Sequence, residues 1–213
     1  MVPKQKSINP FLFIWGVYTL VLGIAVVCTD KLDLHRAMHL YTSPLLDRIM
    51  SGLTHVADGL VPTAVALVML AFRDLRAFLM VGLSCGGSAI IVQILKRTFV
   101  HDRPFMYKAE LGDMHWVEGI DLHHHLSFPS GHATAAFSMC FALAVLAGRR
   151  LWGYLLGLLA VALAYTRVYI SQHFTEDILA GAAIGTLTTL AVYHWLYHSH
   201  FAGRAWLDRR LLT

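Results

Sequence analysis

The chain has 213 residues, of which 57% are hydrophobic and only 14% are charged, whereas soluble domains average about 25% charged residues. This composition excludes an ordinary soluble protein and indicates a membrane protein. The excess of 17 Lys and Arg over 13 Asp and Glu raises nucleic-acid binding as a rival. That rival is excluded because the basic residues are dispersed between apolar segments and form no basic stripe.

Apolar segments of about 15 to 20 residues predict an all-α integral membrane bundle of six transmembrane helices. The segments are residues 11–28, 57–72, 77–95, 133–148, 151–165 and 178–195. The first resembles a signal peptide, but it is long for one and no cleavage site follows, so we interpret it as a spanning helix. Residues 32–50 mix apolar and charged positions and predict an interfacial helix between the first two spans. A single domain, residues 1–213 with its core at about 11–195, is expected.

The short connections are basic and predict the orientation of the bundle. By the positive-inside rule they lie on the cytoplasmic side. The nine residues are Lys4, Lys6, Arg73, Arg76, Arg149, Arg150, Arg204, Arg209 and Arg210. The ends of the third and fifth spans and the starts of the fourth and sixth then emerge together on the outer face. We therefore expect a protein of the cytoplasmic membrane whose site faces the periplasm or the outside.

Three polar clusters lie at those four helix ends. The first contains Lys96 and Arg103, two cations that could bind phosphate, although a lysine at a helix end could also simply extend toward lipid headgroups. The second contains Ser130 and Gly131. A serine there can cap the fourth helix, and free N–H groups at a helix start attract anions.

The third cluster contains His173 and Asp177, four residues apart. If this segment is helical, both lie on one face, and the carboxylate can hold one imidazole nitrogen while the other points at phosphorus. The alternative is that Asp177 only caps a helix and His173 faces lipid headgroups. Fixed cations together with paired imidazoles and a carboxylate are sufficient for phosphoryl transfer without a metal.

Together the clusters resemble the type 2 phosphatidic acid phosphatase superfamily, whose pattern is K-x6-RP, then PSGH, then SR-x5-H-x3-D. The matching residues here are Lys96, Arg103, Pro104, Pro129, Ser130, Gly131, His132, Thr166, Arg167, His173 and Asp177. All three spacings fit, and the one departure is Thr166 in place of serine, which keeps the hydroxyl.

The resemblance implies a role for each of these residues. His173 would attack phosphorus, Asp177 would orient its ring, and His132 would protonate the departing oxygen and later activate water. The residues implied to bind phosphate are Lys96, Arg103, Ser130, Gly131 and Arg167. Neither a metal nor another cofactor is implied.

Other polar residues receive weaker interpretations. The run His123-His124-His125 suggests a metal site, but consecutive histidines rarely face one ion, and a solvated loop is favoured. His55 and Asp58 are interpreted as structural. Residues 105–128 are expected to select the headgroup, with Trp116, Tyr107 and Lys108 as candidate contacts. Glycines spaced by four suit either helix packing within the chain, which is favoured, or a homodimer; they are Gly82, Gly86, Gly153, Gly157, Gly181 and Gly185.

The sequence therefore predicts a lipid phosphate phosphatase whose partners are membrane lipids and a lipid phosphate substrate. The candidate substrates are undecaprenyl diphosphate, phosphatidylglycerophosphate, phosphatidic acid and lipid A phosphate. A phosphotransferase that passes the same phosphoryl group to an alcohol is the nearest alternative. A transporter is disfavoured because the apolar segments are nearly free of charge away from their outer ends.

Overall fold

The computed structural model describes residues 6–210, and the described chain is helical with no strand. This confirms the all-α prediction. The helices are α1 Ile8–Cys28, α2 Lys31–Ala37, α3 Pro44–Leu53, α4 Leu60–Phe72, α5 Leu75–Thr98, α6 Lys108–Leu111, α7 Gly131–Ala147, α8 Arg150–Tyr169 and α9 Thr175–His198. Short 3₁₀ turns lie at Thr54–Ala57, Pro104–Tyr107, His200–Gly203 and Ala205–Asp208.

Four helices, α1, α5, α8 and α9, are long and apolar enough to cross a membrane. A fifth span results if the bent pair Pro44–Ala57 and Leu60–Phe72, which meet at 49°, is counted as one. Helix α7 is apolar but has only 17 residues. By length and composition the described chain therefore supports four or five spans, and the prediction of six is confirmed only in part.

The segment predicted as one interfacial helix forms two helices, α2 and α3. Pro44 occupies the start of α3, where a missing N–H costs no hydrogen bond. Ser43 caps that helix, and its Oγ accepts from the backbone N–H of Leu46 at 3.2 Å. Asp30 caps α2 in the same way. The prediction of a single helix with Pro44 inside it was wrong, because this capped proline begins a new helix.

The core is centred on α7, which packs against α5, α8 and α9. Phe137 and Phe141 of α7 are fully buried, and the Phe141 ring stacks on Phe11 of α1 with centroids 4.5 Å apart. Large apolar side chains on the outer faces of α1 and α5, such as Phe13 and Ile90, are exposed. That pattern is expected of helices whose outer faces contact lipid.

Glycines allow two pairs of helices to approach closely. A Cβ built on Gly181 or Gly185 of α9 would lie 2.6 Å or 2.5 Å from a carbonyl oxygen of α7. A Cβ on Gly153 of α8 would lie 2.1 Å from the Ser7 carbonyl oxygen, beside α1. The favoured interpretation, packing within the chain, is confirmed for these glycines. No other helix approaches Gly82 within 4 Å in the described chain, and a homodimer stays a prediction.

The basic connections lie at the end of the bundle opposite the three clusters. Arg76 pairs with Asp208, Nε to Oδ1, at 2.8 Å, and the Leu75 N–H donates to the Arg209 carbonyl at 3.0 Å. These contacts join the start of α5 to the segment after α9. Of the basic residues used for the orientation, Lys4 lies outside the described residues.

Candidate active site

The three sequence clusters converge at one end of the bundle. Lys96 lies in the last turn of α5, α7 begins with Gly131, and α9 begins just before Asp177. The Ser130 N–H donates to the Asp177 carbonyl at 3.0 Å, which joins the second cluster to the third. The Arg103 guanidinium reaches Gln172, next to His173, which joins the first to the third. The expected convergence of the clusters is therefore observed.

His173 and Asp177 form a buried pair. Asp177 Oδ2 lies 3.4 Å from His173 Nδ1, and both side chains are almost inaccessible. The same oxygen accepts from the Phe174 N–H at 2.8 Å and from the Ser127 hydroxyl at 2.6 Å. Asp177 therefore caps α9 and holds the imidazole at once, so the two interpretations of this residue are not exclusive.

The environment of His173 favours the neutral ring. Burial is the largest effect, Asp177 opposes it, and the charges of Arg103 and Arg167 add to it, so that together they lower the pKa of His173 to about 3. A neutral ring whose Nδ1–H faces the carboxylate carries a lone pair on Nε2. Within the described chain Nε2 makes no hydrogen bond, so this nitrogen is free to act as a nucleophile.

Arg103 is held by backbone and side-chain oxygens. Its Nε donates to the His125 carbonyl at 2.9 Å, and one terminal nitrogen donates to the Gln172 side-chain oxygen at 2.8 Å. Burial lowers the pKa of Arg103, and Asp177 opposes this shift. Arginine nevertheless stays charged in proteins. The guanidinium is thus a fixed cation with further N–H groups to donate.

Arg167 and Lys96 are the other two cations of the candidate site. Arg167 donates from one terminal nitrogen to the Thr54 hydroxyl at 2.9 Å, while its buried Nε has no partner in the described chain. The Lys96 ammonium donates to the Leu126 carbonyl. Because a buried donor without an acceptor is unfavourable, the Nε–H of Arg167 is well suited to bind an anionic ligand.

The second cluster forms the start of α7 as predicted. Ser130 Oγ caps the helix by accepting from the Ala133 N–H at 3.4 Å, and its own hydroxyl hydrogen stays available. His132, on the first turn, is about a quarter exposed, and its Nε2 lies 3.6 Å from Asp58 Oδ1. Asp58 was interpreted as structural only, but the fold brings it to a residue of the site.

Sequence reasoning missed four residues that support the site, namely Thr54, Asp58, Ser127 and Gln172. Gln172 and Ser127 lie next to the sequence motifs and could have been considered, since Gln172 precedes His173 and Ser127 lies two residues before Pro129. Thr54 and Asp58 come from a turn far away along the chain, and no spacing in the sequence relates them to Arg167 or His132.

A surface cavity of about 530 Å³ opens beside Lys96 and Arg103, with the residues 123–125 on its rim. Two backbone hydrogen bonds join this rim to residues 101–103: Arg103 N–H to the His124 carbonyl at 2.8 Å, and Ser127 N–H to the His101 carbonyl at 2.9 Å. The histidine run thus supports Arg103 through its main chain.

The candidate headgroup contacts pack on the protein itself. The Lys108 ammonium lies 5.7 Å from the Trp116 ring centroid. The Tyr107 ring meets that of Phe174 edge to face, with centroids 5.7 Å apart. Through Phe174, which follows His173, Tyr107 lies beside the candidate site.

One group of side chains could hold a metal ion. His101, Glu176 and Asp177 each place a ligand atom within 4.8 Å of the others. Glu176 is already paired with Lys31 at 2.9 Å, and one Asp177 oxygen is engaged by Ser127 and Phe174. Within the described residues the run 123–125 forms no such group.

Residues 77–201 match the model of the PAP2 superfamily. The chain belongs to this superfamily. It is 36% identical over 115 residues to the putative undecaprenyl-diphosphatase YbjG of Escherichia coli strain K12, a match that covers 52% of each protein. It is 26% identical over 197 residues to phosphatidylglycerophosphatase B of Bacillus subtilis strain 168, covering 85% of this chain and 90% of that protein.

Two solved structures share the fold of this PAP2 member. LpxE of Aquifex aeolicus superposes with a TM-score of 0.67 at 28% identity, covering 76% of this chain and 93% of that chain. The first transmembrane PAP2 type phosphatidylglycerolphosphate phosphatase from Bacillus subtilis gives 0.63 at 22% identity, covering 92% and 99%, and shows the fold alone. The prediction of a lipid phosphate phosphatase is confirmed by the superfamily and by the phosphatase names of YbjG and phosphatidylglycerophosphatase B.

Proposed function

We propose that the protein hydrolyses a lipid-linked phosphomonoester or diphosphate through a phosphohistidine on His173, without a metal. The observation that carries this proposal is the Asp177 oxygen that faces His173 Nδ1 while Ser127 and Phe174 hold it in place. The nucleophilic Nε2 is left free beside three fixed cations. Such preorganised charge is the main need of phosphoryl transfer.

In the first step His173 Nε2 attacks phosphorus, and the bond from phosphorus to the leaving oxygen breaks. Lys96, Arg103 and Arg167 neutralise the charge spread over the other phosphoryl oxygens. His132 gives its proton to the departing lipid oxygen, so that an alcohol or a lipid monophosphate leaves. The phosphorylated imidazole is stabilised by the carboxylate of Asp177.

In the second step water attacks the phosphohistidine. His132, now neutral, takes a proton from that water as the bond between phosphorus and nitrogen breaks. Inorganic phosphate leaves, His173 returns to its neutral form, and His132 is again protonated. Ser130 and the Gly131 N–H, at the start of α7, bind the phosphoryl oxygens in both steps.

The substrate class is supported by the relatives, whose names include a putative undecaprenyl-diphosphatase and a phosphatidylglycerophosphatase. Undecaprenyl diphosphate, phosphatidylglycerophosphate, phosphatidic acid and lipid A phosphate are therefore the panel to test. The measurement is phosphate release by the purified protein. Release from at least one of them is expected, and no release from any would contradict the proposal.

The same assay tests the absence of a metal requirement. EDTA is expected to leave phosphate release within about twofold, and vanadate, which mimics the five-coordinate phosphorus, is expected to inhibit it. Activity that is lost with EDTA and restored by a divalent cation would contradict metal-independent catalysis. That result would instead indicate a metal site formed by His101 and Glu176 with Asp177.

We further propose that the chain crosses the cytoplasmic membrane six times, through α1, α4, α5, α7, α8 and α9, and that α2 and α3 lie in the interface. The site then faces the periplasm or the outside. Support comes from the basic connections, since nine of the 17 basic residues belong to the opposite end.

Single cysteines in a variant without Cys28, Cys85 and Cys140 test this orientation. Glu118→Cys is expected to react with an impermeant thiol reagent in intact cells, or in spheroplasts where an outer membrane intervenes. Arg149→Cys is expected to react only after permeabilisation. The reverse pattern would place the site on the cytoplasmic side.

A further inference from the structure

The turn between α3 and α4 reaches two residues of the candidate site. Thr54, at its start, accepts a hydrogen bond from Arg167 at 2.9 Å. Asp58, just after its end, lies 3.6 Å from His132 Nε2. Ala57 is buried and packs the turn against α7 and α8. One turn thus contacts both a phosphate-binding candidate and the candidate acid.

The carboxylate of Asp58 lies between two imidazoles. Its Oδ1 faces His132, and its Oδ2 is 3.7 Å from His55 Nδ1. The Asp58 N–H donates to the His55 carbonyl, and its carbonyl accepts from the Val61 N–H, so its backbone is fixed. Gly59 caps α4 without any side-chain hydrogen bond. The carboxylate therefore does not serve as a helix cap. Its oxygens lie nearest the two rings, and its charge also acts on Arg167.

The charges around His132 give this carboxylate its importance. Burial is the largest effect that opposes protonation of the His132 ring, and the positive charges of Arg167, on α8, and of Arg103, in the loop after α5, oppose it as well. His55, on the turn, acts in the same direction. Of the described groups acting on His132, Asp58 is the one that favours the protonated ring. An acid at this position needs a proton to donate, and a nearby anion keeps it there.

We propose that Asp58 is a positioning residue for His132 that turns Nε2 toward itself and stabilises the protonated imidazole. The proton on the opposite nitrogen, Nδ1, then passes to the leaving oxygen as the bond between phosphorus and oxygen breaks, and the ring is left neutral. This proposal rests on the hydrolysis proposed above. Asp58 itself touches neither the phosphate nor the leaving group.

The test compares two substrates for Asp58→Asn. Phosphatidic acid has an alcohol leaving group that needs a proton, whereas p-nitrophenyl phosphate has one that does not. The kcat for phosphatidic acid is expected to fall about 10- to 100-fold, and that for p-nitrophenyl phosphate by less than about threefold. The alkaline limb of the kcat profile for phosphatidic acid is expected to move to lower pH, because the imidazolium is less stable without the carboxylate.

A double-mutant cycle makes the test independent of general damage to the protein. With His132→Asn already present, Asp58→Asn is expected to change kcat no further, because its effect passes through the missing ring. Asp33→Asn, which removes an exposed carboxylate paired only with Arg36, is the matched control and should leave kcat unchanged. Asp58→Glu, which keeps the charge, is expected to restore part of the loss.

Two outcomes would overturn the role of Asp58. One is an equal loss with both substrates, and the other is an unchanged kcat with phosphatidic acid. If Asp58→Asn does not fold, an additive effect of Asp58→Glu in the His132→Asn background would overturn it as well. A wild-type protein that releases no phosphate from either substrate would instead contradict the proposed function itself.

Discussion

Replacing His173 with Ala is expected to reduce phosphate release from every lipid substrate to background, a loss of about 10⁵-fold or more. The reason is that Asp177, itself held by Ser127, engages Nδ1 of this ring, while Nε2 makes no hydrogen bond in the described chain and the charges of Arg103 and Arg167 act on the ring. The measurement is single-turnover phosphate release, together with acid-labile, base-stable phosphate on the protein. The wild type should carry this label and His173→Ala should not.

His115→Ala is the matched control. That ring lies 3.1 Å from Asp47 and so also pairs with a carboxylate, but it lies outside the three clusters. Its loss should leave turnover within about threefold. Unimpaired turnover of His173→Ala would remove the phosphohistidine from the mechanism.

Asp177→Asn is expected to lower kcat about 10³- to 10⁴-fold while the protein stays folded. The amide oxygen can still accept from the Phe174 N–H and the Ser127 hydroxyl, which both bind the same carboxylate oxygen. The same oxygen position faces His173 Nδ1, so the ring keeps its acceptor and its orientation, and what is lost is the negative charge. Without that charge the imidazole, which becomes cationic as it bonds to phosphorus, is less stabilised in the transition state.

Ser127→Ala separates the effect of the Asp177 substitution on His173 from a general loosening of the His173–Asp177 pair. It removes one donor to Asp177 Oδ2 and leaves the charge and the tautomer unchanged, so a loss of about 10-fold is expected. A similar loss for both variants would mean that Asp177 acts only as a structural cap. The melting temperature of each variant is the accompanying readout.

Much of the candidate site could be predicted because its chemistry is local in the sequence. His173 and Asp177 are one helical turn apart, so their spacing already implies a shared face. The placing of all three clusters on one side followed from the alternation of helices across a membrane. The start of α7 at Gly131 followed from the capping chemistry of Ser130.

The rest of the candidate site depends on contacts between residues far apart in the sequence, which no local pattern predicts. Residues 57–72 read as a continuous apolar segment, yet a 3₁₀ turn ends at Ala57 and α4 begins only at Leu60. This break carries Asp58 to His132, a contact set by the packing of three helices. The packing of Lys108 on Trp116 could not be predicted from the sequence either, and their contact with lipid headgroups stays a prediction.

The close approach of α9 to α7 at Gly181 and Gly185 has a consequence for catalysis. These glycines lie one and two helical turns below Asp177, and the carbonyls they approach belong to Ser130 and Thr134. The distance between the helix whose first turn carries His132, the proposed acid, and the helix that carries Asp177 is therefore set by these two glycines. A larger side chain at either position would push the two helices apart and change the spacing of the proposed catalytic groups.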